Sequence, residues 1–99
     1  MGKLPQLTHQ TVKVIAAAFE QPGSSGSDIC KITGLPSGTV YPILSRLEQA
    51  GWLRSQWERG DPSELGRPRR RYYTLTAEGL KAGADVSREM SSLAARFAL

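Results

Sequence analysis

Ser37-Gly38-Thr39-Val40-Tyr41-Pro42-Ile43-Leu44-Ser45-Arg46-Leu47-Glu48-Gln49-Ala50-Gly51 is the stretch on which the fold turns. Val40, Ile43, Leu44 and Leu47 recur at i, i+3, i+4 and i+7, the spacing that lays an apolar stripe along one side of a helix. The other side carries Gly38, Tyr41, Pro42, Ser45 and Gln49, flanked by Thr39 and Arg46. These residues are small, hydroxylated, amide-bearing or cationic. No carboxylate interrupts them, and Glu48 lies nearer the buried edge. Such a face can lie in a DNA groove. Thr39 reads as the N-cap, which places Pro42 in the first turn, where its missing N–H breaks no internal bond. Gly51 suits the left-handed position just past the last turn. An ordinary amphipathic helix with a solvated polar face would show the same pattern, so the flanking sequence has to decide.

Immediately upstream, Gly34-Leu35-Pro36 ends a short helix expected over Asp28 to Thr33. Ser27 or Ser25 caps it, Ile29 and Ile32 point inward, and Asp28 in the first turn complements the helix dipole. Gln21 to Gly26 is a Pro/Gly/Ser turn cluster. Before that, Thr8 caps a first helix running to about Glu20. Val12, Ile15, Ala16 and Phe19 form one apolar stripe on it; Leu7, Val14 and Ala18 form a second, offset stripe that another subunit can cover. The alternative is that the alanines are simply good helix formers. Two short helices joined by a turn containing Gly, the second apolar on one side only, match a helix-turn-helix.

Downstream, Trp52 to Arg59 alternates. Leu53, Ser55 and Trp57 share one face and Arg54, Gln56 and Glu58 the other, as in a half-buried strand. Gly60-Asp61-Pro62-Ser63-Glu64-Leu65-Gly66-Arg67-Pro68 reads as an irregular loop because of its glycines and prolines. Arg69 to Thr76 is a second strand, with Tyr73 and Leu75 facing inward. The result is a hairpin whose tip and return arm hold Arg67, Arg69, Arg70 and Arg71. Neighbours on a strand face opposite ways. One of Arg70 and Arg71 is therefore expected to be structural, paired with Glu58 across the hairpin. A helix-turn-helix followed by a basic hairpin is a winged helix.

From Thr76 the period changes again. Thr76 caps a last helix, Glu78 suits its dipole, and Gly79 and Gly83 weaken its early part. Val86, Met90, Leu93 and Phe97 then fall at alternating four- and three-residue steps, a coiled-coil-like seam. Such a helix either folds back on the first helix of its own chain or pairs with a second copy; pairing is the expectation. The expected fold is thus mainly α with a small β-hairpin wing: a winged helix-turn-helix over residues 1–76, then a C-terminal dimerisation helix over 77–99. Val14, Ala18, Val86, Met90, Leu93 and Phe97 are the expected dimer contacts.

Composition narrows the partners. The chain has 99 residues, 39% hydrophobic and 22% charged, which suits one small globular domain. Its formal net charge of +4 and sequence pI of about 9.6 favour an anionic partner. The excess is local: Gly51 to Thr76 holds six Arg against three acids. Cys30 is the only cysteine, so no internal disulfide forms. No apolar run is long enough for a bilayer, and Met-Gly-Lys-Leu-Pro-Gln-Leu contains no signal core, so a soluble cytoplasmic protein is expected. His9 and Cys30 sit on different helices without an acid in a recognisable motif, which argues against an enzyme, a cofactor or a metal site. Cys30, Trp52 and Trp57 read as hydrophobic packing residues, the alternatives being a redox-sensing thiol and ligand-stacking rings.

At Gly38-Thr39-Val40-Tyr41-Pro42-Ile43-Leu44-Ser45-Arg46-Leu47-Glu48 and Gly66-Arg67-Pro68-Arg69-Arg70-Arg71-Tyr72-Tyr73-Thr74-Leu75-Thr76-Ala77-Glu78-Gly79, the sequence resembles the PadR family of bacterial transcriptional regulators. Gly51-Trp52-Leu53 and Ser55-Gln56-Trp57-Glu58 look like that family too. The resemblance implies a dimeric winged helix-turn-helix that usually represses genes by occupying operator DNA. It assigns Thr39, Tyr41, Ser45 and Arg46 to the major groove, and the wing, here Arg67 and Arg69, to backbone or minor groove. Some members release DNA on binding phenolic acids or drugs near the dimer interface, so a small aromatic effector is an implied partner. The single helix after the wing is that of the family's short-tailed members.

The chemistry of these residues fits double-stranded DNA. Arg67, Arg69, Arg70 and Arg71 stay charged and can grip phosphate with two nitrogens. Arg46 can pair with a guanine, and Thr39 or Ser45 can bond phosphate or touch a thymine methyl. Tyr41 offers a hydroxyl to phosphate, and Lys31 on the second helix can anchor the backbone. A homodimer would present two third helices to a pseudo-palindromic operator. Two other readings use the same fold: a winged-helix adaptor for protein–protein contact, and a ligand-responsive sensor with an aromatic pocket at the dimer interface.

Overall fold

The computed structural model describes residues 7–97, and past Val86 the side chains of Arg88 and Glu89 alone. Helix α1, His9–Glu20, starts where the extended Thr8 accepts the Thr11 N–H at 3.2 Å. It buries Thr11, Val14, Ile15, Ala17 and Ala18. Val14 and Ala18, expected at a dimer contact, are instead closed inside the protomer's own core. The physical reason is that α1 is the hub of the fold. The next two helices, the sheet and the last helix all pack on it, so one broad apolar face replaces the two stripes.

Ser24–Ser25 forms a short strand, β1, where the sequence suggests only a turn. Helix α2, Gly26–Thr33, follows with Ser25 as N-cap in a reciprocal capping box with Asp28. Its C-cap, Gly34, adopts φ +73°. Ile29 is fully buried, but Ile32 is 41% exposed, against expectation. Three residues advance a helix about 60° short of a full turn, and this eight-residue helix is rotated so that only Ile29 meets the core.

Helix α3, Ser37–Gln49, begins earlier than expected. Pro36, not Thr39, is the N-cap: its carbonyl accepts the Thr39 and Val40 N–H groups, both at 3.0 Å. With φ −71° and ψ 156°, Pro36 cannot continue α2 and presets the next start. Pro42 therefore falls inside the helix and not in its first turn. The Gly38 carbonyl loses its helical donor there, at a solvent-exposed position. At the far end Gly51 takes φ +82°, and the chain turns sharply as the Trp52 N–H donates to the Leu47 carbonyl at 3.0 Å.

Strands β2, Leu53–Trp57, and β3, Arg71–Leu75, pair antiparallel from Leu53 opposite Leu75 to Trp57 opposite Arg71. The sheet order is β1-β3-β2. Between β2 and β3 the expected irregular loop contains one helical turn, α4, Pro62–Leu65. Asp61 caps it through the Ser63 N–H at 3.1 Å, Pro62 opens it, and Gly66 closes it at φ +70°. Residues that look like breakers are here the start and stop of a turn.

Helix α5, Ala77–Phe97, is fastened at its start. The Thr76 hydroxyl donates to the Gly51 carbonyl at 2.6 Å and accepts the Gly79 N–H at 3.1 Å. A Cβ at Gly79 would collide with the Trp52 carbonyl oxygen, and one at Gly83 would stand 2.9 Å from the Phe19 ring. These glycines do more than weaken the helix: they let it lie against α1 and the α3–β2 turn. Val86 is buried within the protomer, so its assignment to a partner is corrected. The remaining expected seam residues, Met90, Leu93 and Phe97, lie outside the described side chains. The core gathers Ile15, Ile29, Val40, Leu44, Leu47 and Leu53 between the helices and the sheet. No helix among the described residues is long and apolar enough to cross a membrane.

Candidate nucleic-acid interface

On α3, after the exposed Ser37 that opens it, the exposed residues are Gly38, Tyr41, Pro42, Ser45, Arg46 and Gln49, opposite the buried Val40, Ile43, Leu44 and Leu47. From Gly38 on, their spacing of i, i+3, i+4, i+7, i+8 and i+11 makes one continuous face. No acid stands on it. Arg46 makes one internal bond, Nε to the Pro42 carbonyl at 3.3 Å, and no ion pair among the described residues. Tyr41 is 46% exposed. One side of its ring lies on α2, where a Cβ at Gly26 would stand 2.5 to 2.7 Å from the ring. Only glycine admits that approach.

Two open clefts border this face. One, between α3 and β3, is lined by Tyr41, Ser45, Glu48, Gln49, Arg71 and Tyr73. The other runs from the start of α2 to the wing, with Ser27, Tyr41, Trp57, Arg69 and Arg70 on its walls. Arg69 and Arg70 are exposed, and neither side chain has an ion-pair partner among the described residues.

Arg67 departs from its expected role. Its guanidinium donates two parallel bonds to Glu58, at 2.6 and 2.8 Å, and a weaker one to the Pro68 carbonyl. The Arg70 N–H and the Tyr72 hydroxyl also donate to Glu58, at 3.2 and 3.3 Å. This cage holds the Glu58 carboxyl down to about 2, the Arg67 hydrogen bond being the largest cause and the Arg70 backbone N–H the next. The left-handed Gly66 returns the chain so that Arg67 meets the end of β2. Arg67 is thus the clasp of the wing loop and not a free cation, and it takes the partner the sequence reserves for Arg70 or Arg71.

Of those two, Arg71 is the structural one, with a different partner. Its Nε donates to the Ser55 Oγ at 2.7 Å, and a terminal nitrogen donates to the two Glu48 oxygens at 3.2 and 3.3 Å. Its guanidinium lies 5.3 Å from the centre of the Trp57 ring. Trp57, expected on the half-buried face, is 55% exposed: it points to the correct side of the sheet but beyond the reach of the helices, under Arg71.

The structure therefore brings Tyr41, Ser45 and Arg46 onto one face and sets Arg69 and Arg70 across a cleft from it. Thr39 is half-buried in the first turn of α3, and Lys31 is exposed on α2 away from both clefts. Gln49 joins the face although it was not among the expected contacts; its place is legible in the helical period. The Glu48–Ser55–Arg71 cluster was not foreseeable, because it joins residues far apart in sequence. Cys30 is half-buried against the core, and no group of metal-ligating side chains occurs among the described residues.

The model of the transcriptional regulator PadR-like family matches residues 28–85. No curated relative matches the sequence. Among solved structures, the chain resembles the PcaV transcriptional regulator from Streptomyces coelicolor in complex with its natural ligand. The TM-score is 0.73 at 26% identity, over 91% of this chain and 60% of that one. Disulfide-formed AbfR gives 0.68 at 28% identity, over 86% and 54%. ZitR from Lactococcus lactis gives 0.77 at 15% identity, over 98% and 64%, a likeness of fold alone. The chain spans roughly 54% to 64% of the length of these three structures.

Proposed function

Because the chain belongs to the PadR-like family of transcriptional regulators, of winged-helix type, we propose that it works as a homodimer on a pseudo-palindromic operator and represses the gene behind it. One observation carries this reading: the exposed face of α3 is free of carboxylates along its whole length and faces, across a cleft, two arginines without an ion-pair partner among the described residues. In the proposed complex α3 lies in the major groove. Arg46 reads a base edge there, and Ser45, Gln49 and the Tyr41 hydroxyl meet bases or phosphate. Arg69 and Arg70 neutralise flanking phosphates and so supply affinity that any duplex can share.

Dimerisation is supported by the step pattern of Val86, Met90, Leu93 and Phe97; with Val86 covered by its own chain, the proposed seam is Met90, Leu93 and Phe97. A two-fold axis between tails presents two α3 helices to half-sites about 34–36 Å apart, one turn of the duplex. A dimer seated across a promoter excludes other proteins from it, which is the simplest route to repression.

Footprinting on the DNA upstream of the protein's own gene tests the whole reading. The expected result is two protected half-sites about one helical turn apart, with reporter expression rising when the gene is deleted. Protection of a single unpaired stretch would remove the dimer from the reading. Expression that falls on deletion would make the protein an activator, and absence of binding at low salt would favour the adaptor role.

A further inference from the structure

We infer that the Glu48–Ser55–Arg71 cluster is a positioning device that fixes the wing relative to α3 and thereby sets how well the protein separates its operator from other duplex DNA. This rests on the DNA-binding reading above and concerns residues that reading leaves without a role. The argument begins with what holds the wing. The hairpin follows α3 through the turn at Leu47 to Trp52, at the end of α3 remote from Tyr41, and its base packs on the core through Leu53, Tyr73 and Leu75. The third strand, β1, backs β3 only at Tyr72 and Tyr73. Beyond that point β3 pairs with β2 alone, and Arg69 and Arg70 lie in the loop just before β3, past the reach of β1. Arg71, opposite Trp57, sits where support ends.

Its guanidinium ties three elements together there. One nitrogen reaches Ser55 on β2, another reaches Glu48 on α3, and the plane lies near the rings of Trp57 on β2 and Tyr73 on β3, at 5.3 and 5.9 Å. Ser55 closes the triangle by donating to the Glu48 Oε2 at 2.7 Å. A planar, forked cation does this; an ammonium has neither the fork nor the stacking plane. Arg71 lines both clefts described above, and Glu48 lines the one between α3 and β3. Any swing of the tip changes them together.

As a DNA-binding cation Arg71 would be a poor choice, because Glu48 neutralises it and places a carboxylate beside the phosphates. That cost makes sense if the return is geometric. Base contacts from α3 and phosphate contacts from the wing reinforce each other only when one rigid body makes both. Released from the clasp, each part still binds DNA, but the operator no longer engages both at once.

The test compares the wild-type chain with Glu48→Ala and Arg71→Lys on two duplexes: one enriched by the wild type from a randomised pool, and a scrambled version of it. Both variants are expected to lower the ratio of the two affinities by about tenfold, the middle of what residues in one network couple. Melting temperatures should move little, since half-exposed pairs add little to stability. Glu48→Ala should at the same time bind the scrambled duplex more tightly, having lost a negative charge, and Arg71→Lys should keep the wild-type salt slope. Unchanged ratios in both variants would overturn the inference. So would parallel losses on both duplexes with the slope reduced, which would make Arg71 a plain phosphate contact. A wild type that binds neither duplex at low salt would instead overturn the DNA-binding reading beneath it.

Discussion

At Arg46 the guanidinium makes a single internal bond among the described residues, through Nε, and its terminal nitrogens lie on the exposed face of α3. Arg46→Ala is expected to weaken binding to the selected operator by about 1–3 kcal/mol and to relax preference at one base position. Equal losses on operator and scrambled duplex, measured by fluorescence anisotropy, would place Arg46 on phosphate. Arg67 carries the same group in a different setting. Its twin bonds keep Glu58 ionised, and the sign of the pH effect follows from that depressed value. The free carboxyl titrates near 4.5 and the folded one near 2, so the clasp contributes fully above 4.5 and is lost as pH falls toward 2. Urea titrations of wild type and Glu58→Gln should therefore differ at neutral pH and converge across that window. A gap that persists unchanged at pH 2 would assign the stabilisation to something other than the ion pair. Nothing in the local sequence distinguishes these arginines: partner choice depends on which acid the backbone brings within reach.

The elements divide by how local their causes are. The period of Val40, Ile43, Leu44 and Leu47 and the alternation around Tyr73 and Leu75 are short-range, so α3 and β3 can be read directly from the chain. The start of α3 could not, because Pro36 competes with Thr39 for the N-cap and only the carbonyl geometry decides. The strand at Ser24–Ser25 has no signal of its own; it exists because Tyr72 and Tyr73 offer it an edge. The wing is the element whose function is most separable. Replacing Arg69 and Arg70 together by Ala should lower affinity for all duplexes and flatten the plot of log affinity against log salt by about 2 units, one per phosphate contact. An unchanged slope would show that the wing stays off the backbone.

For the whole molecule, the sequence conveys the helix-turn-helix and hairpin order but not where the last helix packs. Val86 belongs to the protomer because glycines at 79 and 83 let α5 lie close on α1, a contact that the heptad-like steps disguise. In the proposed dimer the seam begins at Met90. Met90→Asp would bury a carboxylate in that proposed seam, so sedimentation should show the mass falling to that of one chain, with operator affinity lost more than scrambled-duplex affinity. A mass unchanged from the wild type would move the dimer contact elsewhere. Selective, salt-dependent occupancy of DNA is the claim beneath all of this. Its most direct measurement is a titration of wild-type protein against the selected and the scrambled duplex over a series of salt concentrations. The account predicts a linear fall in log affinity with log salt for both, with a constant offset favouring the selected duplex. Affinity that ignores salt, or an offset of zero, would contradict it.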